Sequence, residues 1–430
     1  MIDLKDLRER PDYYRTGALN KNVTIDIDAV LSLDAQQRTA QTEFETLRAQ
    51  QNAAGEKIAK LKDPAEKKTA VGEMAQLKVG VKDAEERAKG FARDLEIQLL
   101  RIPQPADPDV PVGKDATQNV VARHWGEPKQ FDFPTKSHAD LARALGIVDF
   151  DAGVKLAGSR SYMLLGAGAE LHNAVLRLAV DMMIRQHGFT QVNVPVLVRE
   201  EAMIGTGFFP AGREQTYHVT EDNLFLTGTA EVGLTALHIG QTLSEEQLPL
   251  KYTAVSTCFR REAGTYGKDT AGLYRVHQFD KVEQVVICKN DEQESRRWHE
   301  TMLGYSEQLL QTLELPYRVI TCCSGDLGVK NAAMYDVETW MPSRFDGKDR
   351  ATGYGETHSA SRLYEFQARR LNLRYKTSDG KTKFVHTLNN TVVASPRILI
   401  PILENYQNAD GTVTVPKALR PYMGGREQIG

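Results

Sequence analysis

Hydrophobic and polar positions follow a helical period through the first hundred residues of the chain. In two runs, over residues 30–61 and 70–95, mostly apolar side chains, with Ala and Gln among them, recur at alternating steps of three and four. The recurring positions are Val30, Leu33, Gln37, Ala40, Phe44, Leu47, Gln51, Ala54, Ile58 and Leu61, then Ala70, Met74, Leu77, Val81, Ala84, Ala88, Phe91 and Leu95. A repeat of this kind, sustained over about four heptads per run, predicts the seam of a two-stranded coiled coil.

A short polar segment between the two runs predicts where one helix ends and the next begins. Asp63 suits the N-cap, Pro64 suits the first helical position, and Glu66 stands at the capping-box position. A turn this short makes the two helices antiparallel neighbours. Helices of roughly 35 residues, at about 1.5 Å per residue, predict an arm about 50 Å long.

Lysines are concentrated around this turn, at Lys57, Lys60, Lys62, Lys67 and Lys68. Positive charge at the end of the predicted arm is compatible with binding to phosphates. From the pattern alone, however, a coiled-coil spacer or dimerisation element is the preferred interpretation of the arm.

Prolines at positions 103, 105, 108 and 111 follow the arm and predict a stiff linker, with a domain boundary near residue 105. Beyond the linker, runs of strand character follow one another without regularly interposed helices, which predicts an α+β fold with an antiparallel sheet. The predicted strands cover residues 189–198 (broken at Pro195), 250–259, 278–288, 317–323 and 334–341, and the predicted helices cover 171–186, 298–313 and 398–406.

Composition narrows the class of protein only slightly. The 430 residues include 26% charged side chains and carry a net charge of −3, so a contact with nucleic acid would have to come from local patches. The four cysteines have neither zinc-site nor disulfide-framework spacing, which suits a reducing compartment. No apolar leader is visible, and no run approaches the ~20 apolar residues that span a bilayer. These features predict a cytoplasmic enzyme without a membrane segment.

Residues 259–283 combine the side chains best suited to nucleotide chemistry. The chain has no Walker-type phosphate loop, dinucleotide fingerprint or nucleophile elbow, so a nucleotide would have to be held in another way. Arg260 offers a planar donor to a phosphate, and Phe279 offers a flat face to a base. On spacing alone, an ordinary surface hairpin with salt bridges is slightly preferred for this segment.

Longer motifs in the same region resemble class II aminoacyl-tRNA synthetases, and among them the seryl-tRNA synthetases of bacterial type. FRREAG at 259–264, GKDT at 267–270 and YRVHQF at 274–279 resemble motif 2 of that family. LTGTAE at 226–231 resembles its serine-binding Thr-Ala-Glu segment. Motif 2 and this segment together are very specific, whereas a lone Arg-x-Glu would not be.

Other segments extend the resemblance over essentially the whole chain. Residues 170–207 resemble motif 1 with its flanks, and HTLN at 386–389, through Arg397, to LENYQ at 403–407 resembles motif 3. The segment VPKALRPYMGG at 415–425 is similar to the family's C-terminus.

The resemblance implies a class II synthetase antiparallel sheet flanked by helices, with an N-terminal antiparallel coiled-coil arm. A tRNA-binding domain would cover residues 1–104, with the arm at about 28–99, and a catalytic domain would cover 105–430. The implied reaction activates L-serine with ATP and Mg²⁺ to seryl-adenylate and transfers serine to the 3′ end of tRNA(Ser), with tRNA(Sec) as a further candidate. The implied assembly is a homodimer.

The resemblance also implies roles for individual residues. Arg260 would hold the α-phosphate, Arg397 the γ-phosphate, and Glu356 with Ser359 the Mg²⁺ ion. Serine would be surrounded by Thr229, Ala230, Glu231, Glu283 and Thr391. The ATP site would comprise Arg260, Arg261, Glu262, Val276, Phe279, Glu356, Thr357, His358, Ser359 and Arg397.

Several positions depart from the common bacterial pattern. Asn390 and Thr391 stand where Gly and Ser are usual, although Thr391 keeps a hydroxyl group. Pro396 is expected to start the following helix, and Pro401 to lie in its interior and kink it. His358 replaces a serine and is interpreted as a local hydrogen-bonding residue.

Two other interpretations stay open at this point. The first is a relative that charges a carrier protein, although such an enzyme lacks the arm. The second is a degenerate, non-catalytic paralogue that binds partners through its coiled coil, for which the altered motif 3 is the support.

Overall fold

The computed structural model describes residues 1–264 and 272–430. These residues form two compact units, one from Ile2 to Pro103 and the other comprising Met1 and Gln104–Gly430. The predicted GKDT segment at 267–270 lies outside the described residues.

The smaller unit is helical, and its long helices begin and end where the sequence predicts. Its helices are α1 (Leu4–Glu9), α2 (Pro11–Asn20), α3 (Ile27–Lys60) and α4 (Pro64–Leu99). The Asp63 side chain caps α4 by accepting hydrogen bonds from the backbone amides of Ala65 (2.8 Å) and Glu66 (2.9 Å).

The predicted seam joins α3 and α4 along their length. Every predicted seam position is buried or half-buried, and Val30, Ala40, Val81, Ala84, Ala88 and Leu95 are the most deeply buried. The five lysines around the turn are all exposed. The antiparallel coiled-coil arm is therefore confirmed, with a positively charged tip.

The larger unit mixes short helices with one large sheet. Its helices are α5 (His138–Ala144), α6 (Phe150–Ala157), α7 (Ala167–Arg185), α8 (Glu200–Gly205), α9 (Glu231–Ala236), α10 (Glu292–Thr312), α11 (Phe366–Leu371) and α12 (Leu399–Asn405). Its strands are β1 (Val120–Trp125), β2 (Val148–Asp149), β3 (Met163–Leu164), β4 (Thr190–Gln191), β5 (Leu197–Val198), β6 (His218–Val219), β7 (Leu224–Leu226), β8 (Thr242–Ser244), β9 (Leu250–Phe259), β10 (Gln278–Cys288), β11 (Tyr317–Thr321), β12 (Ala333–Trp340), β13 (Tyr354–Tyr364), β14 (Arg374–Lys376), β15 (Thr382–Phe384), β16 (His386–Ser395), β17 (Val413–Thr414) and β18 (Gln428–Ile429).

Eight strands build the main sheet in the order β1-β11-β12-β13-β16-β10-β9-β4. Every neighbouring pair is antiparallel except β4 with β9. Helices α7 and α10 pack on the central strands. An extended apolar cluster fills the space between these helices and the sheet. One face of the central strands is therefore covered by helices, and side chains on the other face are available for a site. This is the predicted α+β class with an antiparallel sheet.

The segment at 189–198 is broken around Pro195, as predicted, and forms the short strands β4 and β5. The sequence did not predict β1, β13 and β16 of the main sheet, and the start of α12 also differs. Pro401 lies in the first turn of α12, where a backbone N–H has no intrahelical partner. Pro396 precedes that helix by three residues. The expected helix start at Pro396 and the expected kink at Pro401 are therefore wrong.

Among the described residues, none of the helices combines the length and apolar character required to cross a membrane.

Candidate active site

A cavity of about 290 Å³ opens beside the central strands of the main sheet. Strands β10, β13 and β16 and the segments that follow β9 and β16 supply most of its walls. The predicted site residues that line it are Thr229, Glu231, Arg260, Glu262, Val276, Phe279, Glu283, Glu356, Thr357, His358, Ser359, Thr391 and Arg397. The structure thus brings together side chains that are up to 168 positions apart in the sequence, from Thr229 to Arg397.

Arg260 lies at the end of β9 and is fixed by the strand that pairs with it. Its backbone N–H donates to the carbonyl oxygen of His277 at 2.9 Å. Its guanidinium carbon lies 5.1 Å from the centre of the Phe279 ring, and its Nε and Nη2 each lie 3.4 Å from the carbonyl oxygen of Gly228. These contacts hold the cation beside an aromatic face, where a phosphate and a base could bind next to each other.

Glu262 and Arg275 form an ion pair beside this aromatic face. Arg275 Nη1 donates to Glu262 Oε2 at 2.8 Å, and Arg160 Nη1 donates to the Glu262 carbonyl oxygen at 2.9 Å. The backbone of Glu262 has φ +49°, which is an uncommon conformation for a residue with a side chain. Val276, which is buried, completes this part of the wall.

Arg397 enters the cavity from the segment between β16 and α12. Its Nε donates to the carbonyl oxygen of Tyr274 at 3.1 Å, and its guanidinium carbon lies 4.6 Å from the Tyr274 ring centre. Its Nη1 lies 3.5 Å from Glu356 Oε1. Arg397 and Arg260 therefore provide two cations in one cavity.

Strand β13 contributes four consecutive residues, from Glu356 to Ser359, to the cavity wall. The Glu356 carboxylate is about half exposed to the cavity, with 46% of its side-chain surface accessible. The His358 ring is buried, and burial lowers its pKa to about 3, so it stays neutral. Its Nδ1 lies 2.8 Å from Thr357 Oγ1.

The opposite end of the cavity contains two buried carboxylates. Glu283 lies on β10 opposite Thr391 of β16, and Glu231 is the first residue of α9. Thr229 Oγ1 donates to Glu283 Oε2 at 3.3 Å and accepts from the Glu231 backbone N–H at 3.1 Å. Burial raises the pKa of Glu283 despite the adjacent cation of Lys281.

Two lysines in this end of the cavity were not predicted from the sequence. Lys281 contacts Glu283 directly, and Lys330 contacts Glu231 directly. Lys281 alternates with Phe279 and Glu283 along β10, so the strand period could have placed it on the same face. Lys330 lies in the connection between β11 and β12, where no local pattern marks it.

Two predicted site residues, Arg261 and Ala230, are not among the described residues that line the cavity. The Arg261 side chain is exposed, and its Nη1 donates to the carbonyl oxygen of Glu214 at 3.2 Å. The methyl group of Ala230 is buried in an apolar cluster with Leu234 and Val285.

The antiparallel sheet, the two arginines and the aromatic plate define the catalytic core of a class II aminoacyl-tRNA synthetase. Residues 216–406 match the family model described as the class II tRNA synthetase core domain for G, H, P, S and T. Residues 1–105 match the model described as the seryl-tRNA synthetase N-terminal domain.

Full-length relatives identify the family within this class. The chain is 44% identical to the serine–tRNA ligase of Deinococcus radiodurans, over 100% of this chain and 99% of the relative. The crystal structure of seryl-tRNA synthetase from Pyrococcus horikoshii complexed with ATP matches with a TM-score of 0.89 and 36% identity, over 100% and 99% of the two chains. That of the cytoplasmic enzyme from Naegleria fowleri in complex with AMP matches with a TM-score of 0.84 and 31% identity, over 97% and 95%. The chain belongs to the seryl-tRNA synthetase family.

Proposed function

We propose that the cavity activates L-serine with ATP and that the chain then transfers serine to the 3′ end of tRNA(Ser), as a serine–tRNA ligase. This proposal is based on one observation. Arg260, Phe279 and the two carboxylates of Glu231 and Glu283 line the same cavity. The cavity offers cations and an aromatic face at one end and acidic groups at the other. This arrangement fits a nucleotide bound next to a small amino acid.

The nucleotide end supplies what the activation step requires. In that step the serine carboxylate attacks the α-phosphorus of ATP, a bond forms between carboxylate oxygen and phosphorus, and pyrophosphate leaves. Phosphoryl transfer of this kind depends mainly on positioning and on cations near the developing charge. Arg260 would bind the α-phosphate, Arg397 the γ-phosphate, and Phe279 would stack on adenine, which Glu262 and the Val276 backbone would contact.

The amino-acid end is suited to a ligand that carries both an ammonium and a hydroxyl group. Glu231 and Glu283 can accept hydrogen bonds from both groups, and the Thr229 and Thr391 hydroxyls lie beside them. Alanine would leave these buried polar groups without a partner. Sites built to bind a hydroxyl therefore reject the analogue that lacks it.

Glu356 and Ser359 are proposed to hold Mg²⁺. Both line the cavity, and both offer oxygen atoms, the donors that this ion prefers. When bound, Mg²⁺ would neutralise part of the charge of the phosphates. The partly exposed Glu356 carboxylate fits this role, because the ion keeps part of its water shell.

The arm is proposed to bind the tRNA. It consists of two long helices and is positively charged at its tip, which suits recognition of RNA by shape and backbone charge. A homodimer located in the cytoplasm is proposed from the family, and the free thiols of the four cysteines suit that compartment. Charging of tRNA(Sec) is a further candidate activity of the same site.

Serine-dependent exchange of pyrophosphate into ATP tests the activation step. The protein is expected to catalyse exchange with serine and to show at most weak exchange with threonine, alanine or glycine. Exchange with none of these amino acids would contradict the proposal and favour a non-catalytic paralogue. Exchange with serine, but no charging of tRNA(Ser), would favour a relative that charges a carrier protein.

A further inference from the structure

Lys330 belongs to the amino-acid end of the cavity, but the proposed reaction gives it no role. Its ammonium group contacts the Glu231 carboxylate and lies 3.9 Å from the centre of the Phe208 ring. Only 14% of its side-chain surface is exposed. An ion pair and a cation–π contact therefore hold Lys330 in one place, as part of the wall of the cavity.

The ion pair engages one oxygen of Glu231. Oε1 accepts hydrogen bonds from Lys330 and from Gln367 Nε2, the second at 2.8 Å. Gln367 is itself fixed, because its Nε2 donates to the Thr206 carbonyl oxygen at 2.8 Å and its Oε1 accepts from Thr387 Oγ1 at 2.7 Å. Within the described part of the chain, Oε2 is therefore the oxygen of Glu231 that remains for a ligand.

A second ion pair lies in this end of the cavity. Lys281 contacts Glu283, so each of the two buried carboxylates has one ammonium group beside it. The side chains of all four are at most 14% exposed. Charges act strongly on each other where water is excluded, so the net charge of the wall decides which ligand charge is tolerated.

We propose that Lys330 is a specificity-determining residue, whose positive charge offsets that of Glu231 so that the amino-acid end of the cavity accepts a zwitterion and rejects an amine cation. In a zwitterion, repulsion between Lys330 and the ligand ammonium is offset by attraction to the carboxylate. In an amine that lacks the carboxylate, only the repulsion remains. The inference rests on the proposed function. It goes further in stating that the site excludes amine cations that resemble serine.

Serinol tests this inference, because a hydroxymethyl group replaces the carboxylate of serine and the amine stays cationic at neutral pH. Its inhibition constant is measured in pyrophosphate exchange and divided by the KM for serine. In Lys330→Met this ratio is expected to fall about ten-fold, because the wall becomes one unit more negative. Lys330→Gln, a second uncharged variant, should show the same fall.

Two controls separate charge from structure. Lys330→Arg keeps the positive charge and should keep the parent ratio within about two-fold. Lys348→Met removes an exposed lysine outside the cavity and should also keep it. Since the ratio compares two ligands in one variant, a general loss of activity cancels out.

An unchanged ratio in both uncharged variants, in a parent protein that activates serine, would overturn this inference alone. An equal fall of the ratio in Lys330→Arg would overturn the inference too, because the change would then result from the shape of the side chain rather than from its charge. The absence of serine activation in the parent protein would contradict the proposed function itself.

Discussion

Side chains that alternate along single strands build much of the cavity. Phe279, Lys281 and Glu283 occupy every second position of β10 and so share one face of the sheet. Local alternation of this kind can be predicted from the sequence. The contact between Lys330 and Glu231 could not be predicted, since it joins residues 99 positions apart and lies outside the regular strands.

Substitution of Arg260 tests the phosphate role at the residue scale. Arg260→Ala is expected to reduce the rate of serine-dependent pyrophosphate exchange by about 10²–10³-fold, the usual cost of losing one donor to developing charge. Arg297→Ala, which removes an exposed arginine of α10, should leave the rate unchanged. Near-normal exchange in a folded Arg260→Ala protein would contradict the role.

Three buried histidines predict how stability depends on pH. Burial lowers the pKa of His299 and of His358 to about 3, and that of His386 to about 4. Because the unfolded chain binds these protons near pH 6.5, the stability that they contribute is present above about pH 6.5 and is lost as the pH falls towards the folded-state values.

Well below pH 6.5 the expected loss approaches about 1.4 kcal/mol per pH unit for each such histidine, and it is smaller near pH 7. Urea unfolding between pH 7 and pH 5 measures it as a fall in the midpoint. Replacing His299 by Gln should make the fall less steep. A midpoint that does not change over this range would contradict the burial of these rings as neutral groups.

At the scale of secondary-structure elements, strong local signals predicted the bounds well. The seam and the Asp63-Pro64 turn predicted α3 and α4 to within a few residues, and β9 and β10 begin and end at the predicted positions. The predicted helix start at Pro396 and the predicted kink at Pro401 were wrong, because the first residue of α12 depends on the path of the segment that follows β16. The break between β4 and β5 was predicted, since Pro195 cannot donate a hydrogen bond to a neighbouring strand. Strands β13 and β16, which supply part of the cavity wall, were not predicted.

The cap of α4 can be tested by itself. Asp63→Ala is expected to destabilise the tip of the arm by about 1 kcal/mol, because the amides of Ala65 and Glu66 lose their acceptor. Hydrogen exchange of the amides in the first turn of α4 should become faster. Asp83→Ala, at an exposed position in the same helix, should not change exchange at the tip. Unchanged exchange in Asp63→Ala would contradict the capping role.

For the whole molecule, the two compact units predict two separable activities. Deletion of residues 28–99 removes nearly all of α3 and α4 and leaves every described residue of the cavity in place. The shortened protein is expected to retain serine-dependent pyrophosphate exchange and to lose charging of tRNA(Ser). If charging survives the deletion, the arm does not bind the tRNA.

A crystal structure with a non-hydrolysable sulfamoyl analogue of seryl-adenylate would show directly how the cavity binds its substrates. We expect adenine against Phe279, the sulfamoyl group within hydrogen-bond distance of Arg260, and the serine hydroxyl and ammonium between Glu231 and Glu283. An analogue bound elsewhere, or bound here in the reverse orientation, would show that the proposed site is wrong.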